Sequence, residues 1–235
     1  MNKNAFTKGL IDGIPIGVGY LSVSFAFGIF AVNSGLSPVE AALVSMTCLT
    51  SAGQLAAVPI MTGGGGLLEL VISQIVINLR YSLMSISLSQ KLGDDVTMAD
   101  RFGIAFFNTD EIFAVASGQP GRVSRWYFYG LGAMPWLGWS GGTITGALAG
   151  NILPAAVTNA LGVAIYGMFI AIVVPAARQE RGVALCVAIA VCLSCLFAAV
   201  PALQAVPGGF VVIICAVVAS AVMAWIAPID EEVEA

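Results

Sequence analysis

Four long segments of this chain contain no charged residue. They cover residues 13–39, 41–68, 126–177 and 182–229. An apolar helix needs about 20 residues to cross the roughly 30 Å hydrocarbon core of a bilayer, so each segment is long enough to span a membrane. Charged residues make up only 9% of the chain, whereas a soluble domain has about 25%. The sequence therefore predicts an all-α polytopic integral membrane protein, in contact with the lipid bilayer and with no nucleic acid partner.

Six apolar segments are predicted to cross the membrane fully: 14–33, 67–90, 126–149, 155–177, 183–200 and 209–227. Two more are irregular, because 38–62 contains "TSAGQLAAVP" and 102–117 is short and holds two acidic residues. We expect both to be broken or re-entrant segments, with seven or eight full helices as the alternative. The chain is predicted to form one membrane domain over residues 1–235, with a transmembrane core at about 12–227 and an acidic tail at 228–235.

Basic residues near the ends of spans indicate orientation, because they favour the cytoplasmic side. They form four clusters: Lys3 with Lys8, Lys91 with Arg101, Arg122 with Arg125, and Arg178 with Arg181. If 38–62 and 102–117 each enter and leave on the same side, all four clusters and the C-terminus lie in the cytoplasm. Full crossings would instead place Lys91 outside. The distribution therefore favours six spans plus two re-entrant segments.

The composition gives little support to cofactor or metal chemistry. The chain has 5 cysteines and no histidine. All of the cysteines lie in apolar stretches, where cysteine usually acts as a small buried hydrophobe, and this includes Cys192 and Cys195, which have the spacing of a metal or redox pair. The glycine run at 63–66 lacks the lysine that completes a phosphate-binding loop. We therefore predict no metal, no cofactor and no enzymatic activity.

The segment 67–90 carries polar residues on two faces. At about 100° per residue, Gln74 and Asn78 fall in one stripe with several serines, while Glu69 and Arg80 fall in a nearly opposite stripe. A helix of this kind cannot present a broad apolar face to lipid, so we expect it to be the most enclosed helix of the bundle. Glu69 lies about 16 Å from Arg80 along the axis, so Arg80 needs another partner. An intramembrane arginine indicates either a structural ion pair or a functional site.

The irregular segment "FFNTDEIFAVAS" offers that partner. Asn108 and Thr109 are good N-cap residues, and Asp110 and Glu111 would then lie in the first turn of a half-helix. A carboxylate at this place can pair with Arg80, bind an ammonium group or carry a proton. The alternative is a surface loop with solvated acidic residues.

The other irregular segment, "SAGQLAA", supplies a different chemistry. Gly53 and Gln54 interrupt an apolar run, and a broken helix offers free backbone N–H groups to a substrate carboxylate. A site for a carboxylate and a site for an amine together describe a zwitterion. The candidate residues for substrate binding or gating are Gly53, Gln54, Gln74, Asn78, Arg80, Asn108 and Thr109. The candidates for proton coupling or the ion pair are Asp110 and Glu111.

Glycines recur at intervals of four residues in two places. One set is Gly138, Gly142, Gly146 and Gly150, and the other is Gly9, Gly13 and Gly17. Small residues at this spacing let two helices approach closely. We expect internal packing, with contact to a second protein as the alternative for the stripe 138–150.

Four stretches occur in a distinctive order: "GLIDGIPIGVGYLSVSFAFGIFA", "SAGQLAA", "INLRYSLMSISLS" and "TDEIFAV". Together they resemble the AzlC family of branched-chain amino acid exporters, over roughly residues 6–227. The resemblance implies a multi-pass permease of the bacterial inner membrane that exports leucine, isoleucine or valine, and in some cases methionine. It also implies a partner, a small membrane subunit of the AzlD type.

A secondary transporter is the function that these residues favour. A polar site between broken helices can open to either side of the membrane, and without an ATP-binding motif the energy must come from a gradient. Asp110 or Glu111 would then carry the proton. The alternatives are the membrane subunit of an ATP-driven amino acid permease, with 91–101 as the candidate docking loop, and a channel for small solutes.

Overall fold

The structure is a computed structural model that describes residues 3–150 and 173–226, together with Pro154, Ala156 and Ile170. Within these residues the regular secondary structure is helical, apart from one isolated bridge between Leu92 and Val123. The helices are α1 (Lys3–Asn33), α2 (Pro38–Thr47), α3 (Ser51–Thr62), α4 (Leu67–Lys91), α5 (Met98–Phe107), α6 (Asp110–Ser117), α7 (Arg125–Gly150), α8 (Arg181–Ala199), the 3-10 turn Pro201–Leu203 and α9 (Gly208–Ile226). The all-α prediction is confirmed.

Four of the described helices, α1, α4, α8 and α9, are long and apolar enough to cross a membrane. They coincide with the predicted spans 14–33, 67–90, 183–200 and 209–227. The predicted span 126–149 lies in α7, which has 26 residues. Glycine, serine and threonine among its apolar residues lower its hydropathy. Most of the predicted span 155–177 lies outside the described residues, as does the tail 228–235. The count of six spans therefore stays a prediction.

Contacts divide the chain into two compact units. The first comprises Met1–Val58 with Asn78–Ile165, and the second comprises Pro59–Ile77 with Tyr166–Ala235. The first unit has a buried core in which Phe128 and Leu131 of α7 pack with apolar residues of α4, α5 and α6. The expectation of one domain over 1–235 stays a prediction.

The predicted break in residues 38–62 is confirmed. Ser37 caps α2 in a reciprocal capping box with Glu40, and Pro38 takes the first helical position, where its missing N–H costs nothing. The helix ends at Cys48, whose backbone is extended at φ −141° and ψ 120°. A new helix, α3, starts at Ser51.

The predicted break in residues 102–117 is also confirmed. A capping box between Thr97 and Asp100 starts α5, which ends at Asn108 with φ −74° and ψ 88°. Thr109 is extended at φ −101° and ψ 170°, and α6 begins at Asp110. Each irregular segment thus forms two short helices rather than one long one.

In the first unit α1 and α7 run parallel with their backbones in direct contact. A Cβ atom added at Gly138 would lie 2.1 Å from the carbonyl oxygen of Gly17, and one at Gly146 would lie 2.0 Å from that of Phe25. The stripe on α1 has the same function, since a Cβ at Gly9 would lie 2.1 Å from the Tyr127 oxygen. The expectation of internal packing is confirmed for these glycines, and the stripe from Gly138 to Gly146 is therefore not free for a second protein.

Three basic clusters lie at one end of the first unit. Val123 donates a backbone hydrogen bond to Lys91 and accepts one from Gly93, both at 2.8 Å, which joins the end of α4 to the start of α7. Lys8, near the start of α1, donates to the Gln119 side chain at 2.8 Å. The hairpin of α5 and α6 therefore leaves and returns at the same end. This is the arrangement that a re-entrant segment and the positive-inside rule require.

Glu69 has its partner within the second unit. Its Oε1 accepts a hydrogen bond of 2.8 Å from the backbone N–H of Gly209, in the first turn of α9. A carboxylate at the start of a helix is stabilised by the unpaired N–H groups and by the helix dipole. Glu69 thus stabilises the start of α9. This agrees with the expectation that Glu69 is too far from Arg80 to pair with it.

The expectation that α4 is the most enclosed helix is wrong. Only 11% of the residues in its apolar stretch are buried, against 44% for α1. The helical period identifies which faces are polar, but it does not tell what covers them. In the chain by itself, the most enclosed of the four candidate spans is α1, because its glycines allow backbone contact with α7.

Candidate functional site

The candidate site is built around the N-terminus of α6, in the first unit. Thr109 is the N-cap, and its Oγ1 accepts a hydrogen bond of 3.5 Å from the backbone N–H of Ile112. Asp110 and Glu111 occupy the first turn, where negative charge is stabilised by the helix dipole. The half-helix predicted from the sequence therefore forms, with Thr109 rather than Asn108 as its cap.

Arg80 forms an ion pair with Asp110. Its Nη1 lies 2.6 Å from Asp110 Oδ2, and the two side chains are 51% and 45% exposed. The other terminal nitrogen donates to the Tyr81 hydroxyl at 3.2 Å, and the guanidinium carbon lies 4.9 Å from the centre of the Tyr81 ring. One guanidinium thus holds a carboxylate and an aromatic side chain while half of its surface stays open. The expected partner of Arg80, a carboxylate of the 102–117 segment, is Asp110.

Glu111 faces a different group, the hydroxyl of Tyr20 on α1. Tyr20 Oη lies 2.5 Å from Glu111 Oε2 and 2.8 Å from Thr109 Oγ1. An ionised carboxylate can only accept, so Tyr20 donates its proton to Glu111, and its oxygen is then able to accept from the Thr109 hydroxyl. The Tyr20 ring packs edge to face on Trp139 of α7, with 5.3 Å between ring centres. This contact links α1, α6 and α7 at one point.

Gln54 lies at the junction of α2 and α3 and is fully buried. Its Oε1 accepts from Trp139 Nε1 at 3.0 Å, while its Nε2 donates to the carbonyl oxygens of Val44, at 3.1 Å, and Cys48. The Val44 carbonyl also accepts from the backbone N–H of Cys48, whereas the Cys48 carbonyl lies at the end of α2, where carbonyls lack partners within the helix, and Gln54 supplies one. Both ends of its amide are thus used by the protein, so Gln54 stabilises the break between α2 and α3.

The other predicted site residues, Gly53, Gln74, Asn78 and Asn108, lie on three different segments. Gly53 is buried in the first turn of α3. Asn78 lies on α4 in the first unit, whereas Gln74 lies on the part of α4 that belongs to the second unit. Asn108 is buried and donates to Ser85 of α4 at 3.1 Å. The structure thus brings Arg80, Thr109, Asp110 and Glu111 together, and it adds Tyr20, Tyr81 and Trp139.

Residues 15–153 match the family described as AzlC protein. This range contains the whole candidate site and more than half of the 235 residues. The chain belongs to the AzlC family.

Two relatives support this membership. The AzlC chain is 34% identical over 178 residues to an uncharacterized membrane protein of Archaeoglobus fulgidus, which covers 74% of this chain and 78% of the relative. It is 30% identical over 189 residues to the inner membrane protein YgaZ of Escherichia coli K12, which covers 77% of this chain and 76% of that protein. No solved structure matches the chain significantly. Together with its apolar helices, these relatives establish this AzlC chain as a membrane protein.

Tyr20, Tyr81 and Trp139 carry different signals in the AzlC sequence. Tyr81 directly follows Arg80, so its contact with the arginine could have been predicted from the sequence. Tyr20 lies in an uncharged apolar run with no polar neighbour that would set it apart. Trp139 lies in a run of aromatic and glycine residues that equally suits ordinary packing. Only the fold brings the last two to the start of α6.

Proposed function

We propose that this AzlC chain is a secondary transporter that exports branched-chain amino acids across a bacterial inner membrane. The family and the apolar helices support a transporter-like membrane protein rather than an enzyme. The proposal of an amino acid substrate rests on the half-exposed ion pair of Arg80 and Asp110 at the start of a half-helix. Opposite charges held side by side at such a place suit a substrate that carries both charges itself.

A zwitterion can exchange with this ion pair without changing the number of charges in the site. Its ammonium group would replace the guanidinium beside Asp110, and its carboxylate would take the place of Asp110 beside Arg80. Each charge keeps a partner throughout, so the desolvation penalty of an unpaired charge, several kcal/mol in a protein interior, is avoided. The half-exposed surfaces of both side chains are where such a molecule would enter.

Proton coupling is proposed for the carboxylates of α6. Glu111 binds the Tyr20 hydroxyl, so a proton taken up by Glu111 would remove the charge that holds this hydroxyl. Because the Tyr20 ring packs on Trp139, the change would reach both α1 and α7. Asp110 remains the second candidate for the proton carrier.

A small AzlD-type membrane subunit is the proposed partner. The exposure of α4 supports this, because the helix is polar on two faces and only 11% of its apolar stretch is buried. Polar side chains are costly where they face lipid, so a poorly buried helix with two polar faces favours protein contacts over lipid. Co-purification of a small hydrophobic protein with the native chain, and greater export by the pair than by the chain alone, would support the partner. Full export by the purified single chain would refute it.

Counterflow of radiolabelled leucine in proteoliposomes tests the function. The native chain, with its partner where required, should exchange leucine, and Asp110→Asn should abolish exchange because it removes one half of the pair. Asp94→Asn is the matched control, since it breaks a solvent-exposed arginine–carboxylate pair with Arg122. Equal exchange by the native protein and Asp110→Asn would refute the proposed site.

The energy source separates the two transporter classes. A secondary transporter should concentrate leucine in ATP-free vesicles when a proton gradient is imposed, and Glu111→Gln should remove the dependence on that gradient. Accumulation that needs ATP and a second, soluble subunit would favour an ATP-driven permease. Flux that neither saturates nor responds to leucine on the opposite side would favour a channel.

A further inference from the structure

A cavity of about 190 Å³ lies between the second half of α4 and α5, within the first unit. At about 30 Å³ per water, it has the volume of roughly six water molecules, which is enough for a small aliphatic compound. Leu88, Leu92 and Ile104 give it apolar walls, and Ser85 and Asn108 add polar groups. We call it the α4–α5 cavity.

Asn108 lines this cavity and carries an unsatisfied polar atom. The residue is only 5% exposed, and its Nδ2 donates to Ser85 at 3.1 Å. Its Oδ1 is buried and accepts no hydrogen bond from the described residues. Turning the amide over would exchange its two ends and still leave one of them without a partner. A buried polar atom of this kind is costly unless a partner arrives, so the position calls for a hydrogen-bonding ligand.

Arg101 also lines the cavity. It is exposed, and it lies seven residues before Asn108 on the same face of α5, about 10 Å along the helix axis. Among the described residues Arg122 and Arg125 pair with Asp94, Asp95 and Asp100, whereas Arg101 forms no ion pair. An exposed cation without a counter-charge in the lining of a cavity attracts anionic groups.

The cavity lies beside the candidate site, because its lining residue Asn108 precedes Asp110 by two residues. We propose that the α4–α5 cavity is a loading site that binds the aliphatic amino acid before it reaches the pair of Arg80 and Asp110. The ammonium group donates to Asn108 Oδ1, the aliphatic side chain lies against the apolar walls, and the carboxylate lies towards Arg101, which attracts it. This inference rests on the proposed function, and it adds a second place on the substrate's path.

Equilibrium binding to the full chain in lipid nanodiscs tests the loading site with three probes. Leucine carries both charges, leucinamide lacks the carboxylate, and 4-methylpentanoate lacks the ammonium group. Asn108→Leu removes the acceptor and should weaken leucine and leucinamide about tenfold or more while leaving 4-methylpentanoate unchanged. Arg101→Gln should weaken the binding of leucine and 4-methylpentanoate, and the difference from the native chain should shrink in high salt, while leucinamide stays unaffected.

A second variant keeps the test decisive if Asn108→Leu does not fold. Ala105 lines the cavity and is exposed, so Ala105→Leu should fill the cavity and weaken all three probes without disturbing a buried contact. Ala99→Leu is the matched control, because Ala99 is exposed on the same helix away from the cavity, and it should bind like the native chain. Unchanged binding of all probes by Ala105→Leu would overturn the loading site.

The failure of this inference can be told from the failure of the proposed function. If Asp110→Asn still binds leucine but no longer exchanges it, while Ala105→Leu loses binding, the loading site is supported. If the native chain binds and exchanges leucine and Ala105→Leu does both equally well, the loading site is refuted and the proposed function stands. If the native chain with its partner neither binds nor exchanges leucine, the proposed function is refuted, and the loading site with it.

Discussion

The contact between α1 and α7 gives the sharpest mechanical prediction, the effect of Gly138→Ala. The new Cβ would lie 2.1 Å from the Gly17 carbonyl oxygen, and ordinary van der Waals contact begins at 3.4 Å. The two helices must therefore separate locally by about 1.3 Å (3.4 − 2.1). The clash is with a carbonyl oxygen of the backbone, which cannot rotate away as a side chain can.

The energetic cost follows from this displacement. A gap of about 0.5–1 Å already forfeits a quarter to a half of the dispersion energy of the contacts it opens. Overpacking typically costs about 1–3 kcal/mol, and we expect Gly138→Ala to lie at the upper end because Gly142 and Gly146 approach α1 just as closely. The alanine gains about 0.8–1.0 kcal/mol of helix propensity, which offsets only part of the loss.

Gly141→Ala is the matched control on the same helix. A Cβ at Gly141 meets nothing within 4 Å, so this variant keeps the gain in helix propensity and causes no clash. Unfolding in mixed micelles, followed by tryptophan fluorescence, should rank Gly141→Ala at or above the native protein and Gly138→Ala clearly below it. Equal stability of the two variants would show that the backbones of α1 and α7 are not in contact at this point.

Three further predictions concern single side chains. Gln54→Leu should lower the free energy of unfolding by about 2–4 kcal/mol, because it removes the hydrogen-bond partner of the Trp139 N–H and of the Cys48 carbonyl. Gln90→Leu, on the exposed surface of α4, should change it little. Arg80→Lys keeps the charge but should lower the rate of leucine exchange roughly tenfold. An ammonium group lacks the planar fork of the guanidinium, which reaches Asp110 and Tyr81 together. Exchange at the native rate would contradict this prediction. Asp100 lies in the first turn of α5, outside the four candidate spans, and hydrogen bonds from the Thr97 side chain and backbone lower its pKa to about 2. Its contribution to stability should therefore be complete above its ordinary pKa of 3.8 and decline as the pH falls from there through about 2, and Asp100→Asn should remove this decline from the unfolding curve.

The local features of the site could be predicted from the sequence because they follow from local chemistry. Thr109 is a good N-cap residue, and the two acidic residues after it favour the first turn of a helix. The structure confirms that a helix, α6, begins directly after Thr109. The partner of Arg80 could be predicted because Glu69 is too distant on the same helix, and because Asp110 and Glu111 lie in an irregular apolar segment that is expected to enter the membrane.

The environment of the site could not be predicted in the same way. Tyr20 meets Glu111 across 91 positions of sequence, and no pattern within α1 marks it. Gln54 was expected to bind substrate because it interrupts an apolar run where a broken helix offers backbone N–H groups, and only the fold shows that its side chain bonds Trp139 and the end of α2. The enclosure of α4 was misjudged for a related reason, because periodicity describes one helix while burial depends on its neighbours. Patterns along the chain identified the polar groups, and the tertiary fold determined which groups meet.

The exposure of the ion pair between Arg80 and Asp110 affects whether a ligand can replace it. A buried salt bridge that satisfied every donor and acceptor would be rigid and would resist exchange with a ligand. Here Arg80 binds Asp110 through a single close contact, and both side chains are about half exposed. Glu111, the adjacent carboxylate, is occupied by Tyr20 and so does not compete for the guanidinium. Tyr20 thereby leaves Asp110 as the single carboxylate that Arg80 binds, which is the condition under which one zwitterion can replace one ion pair.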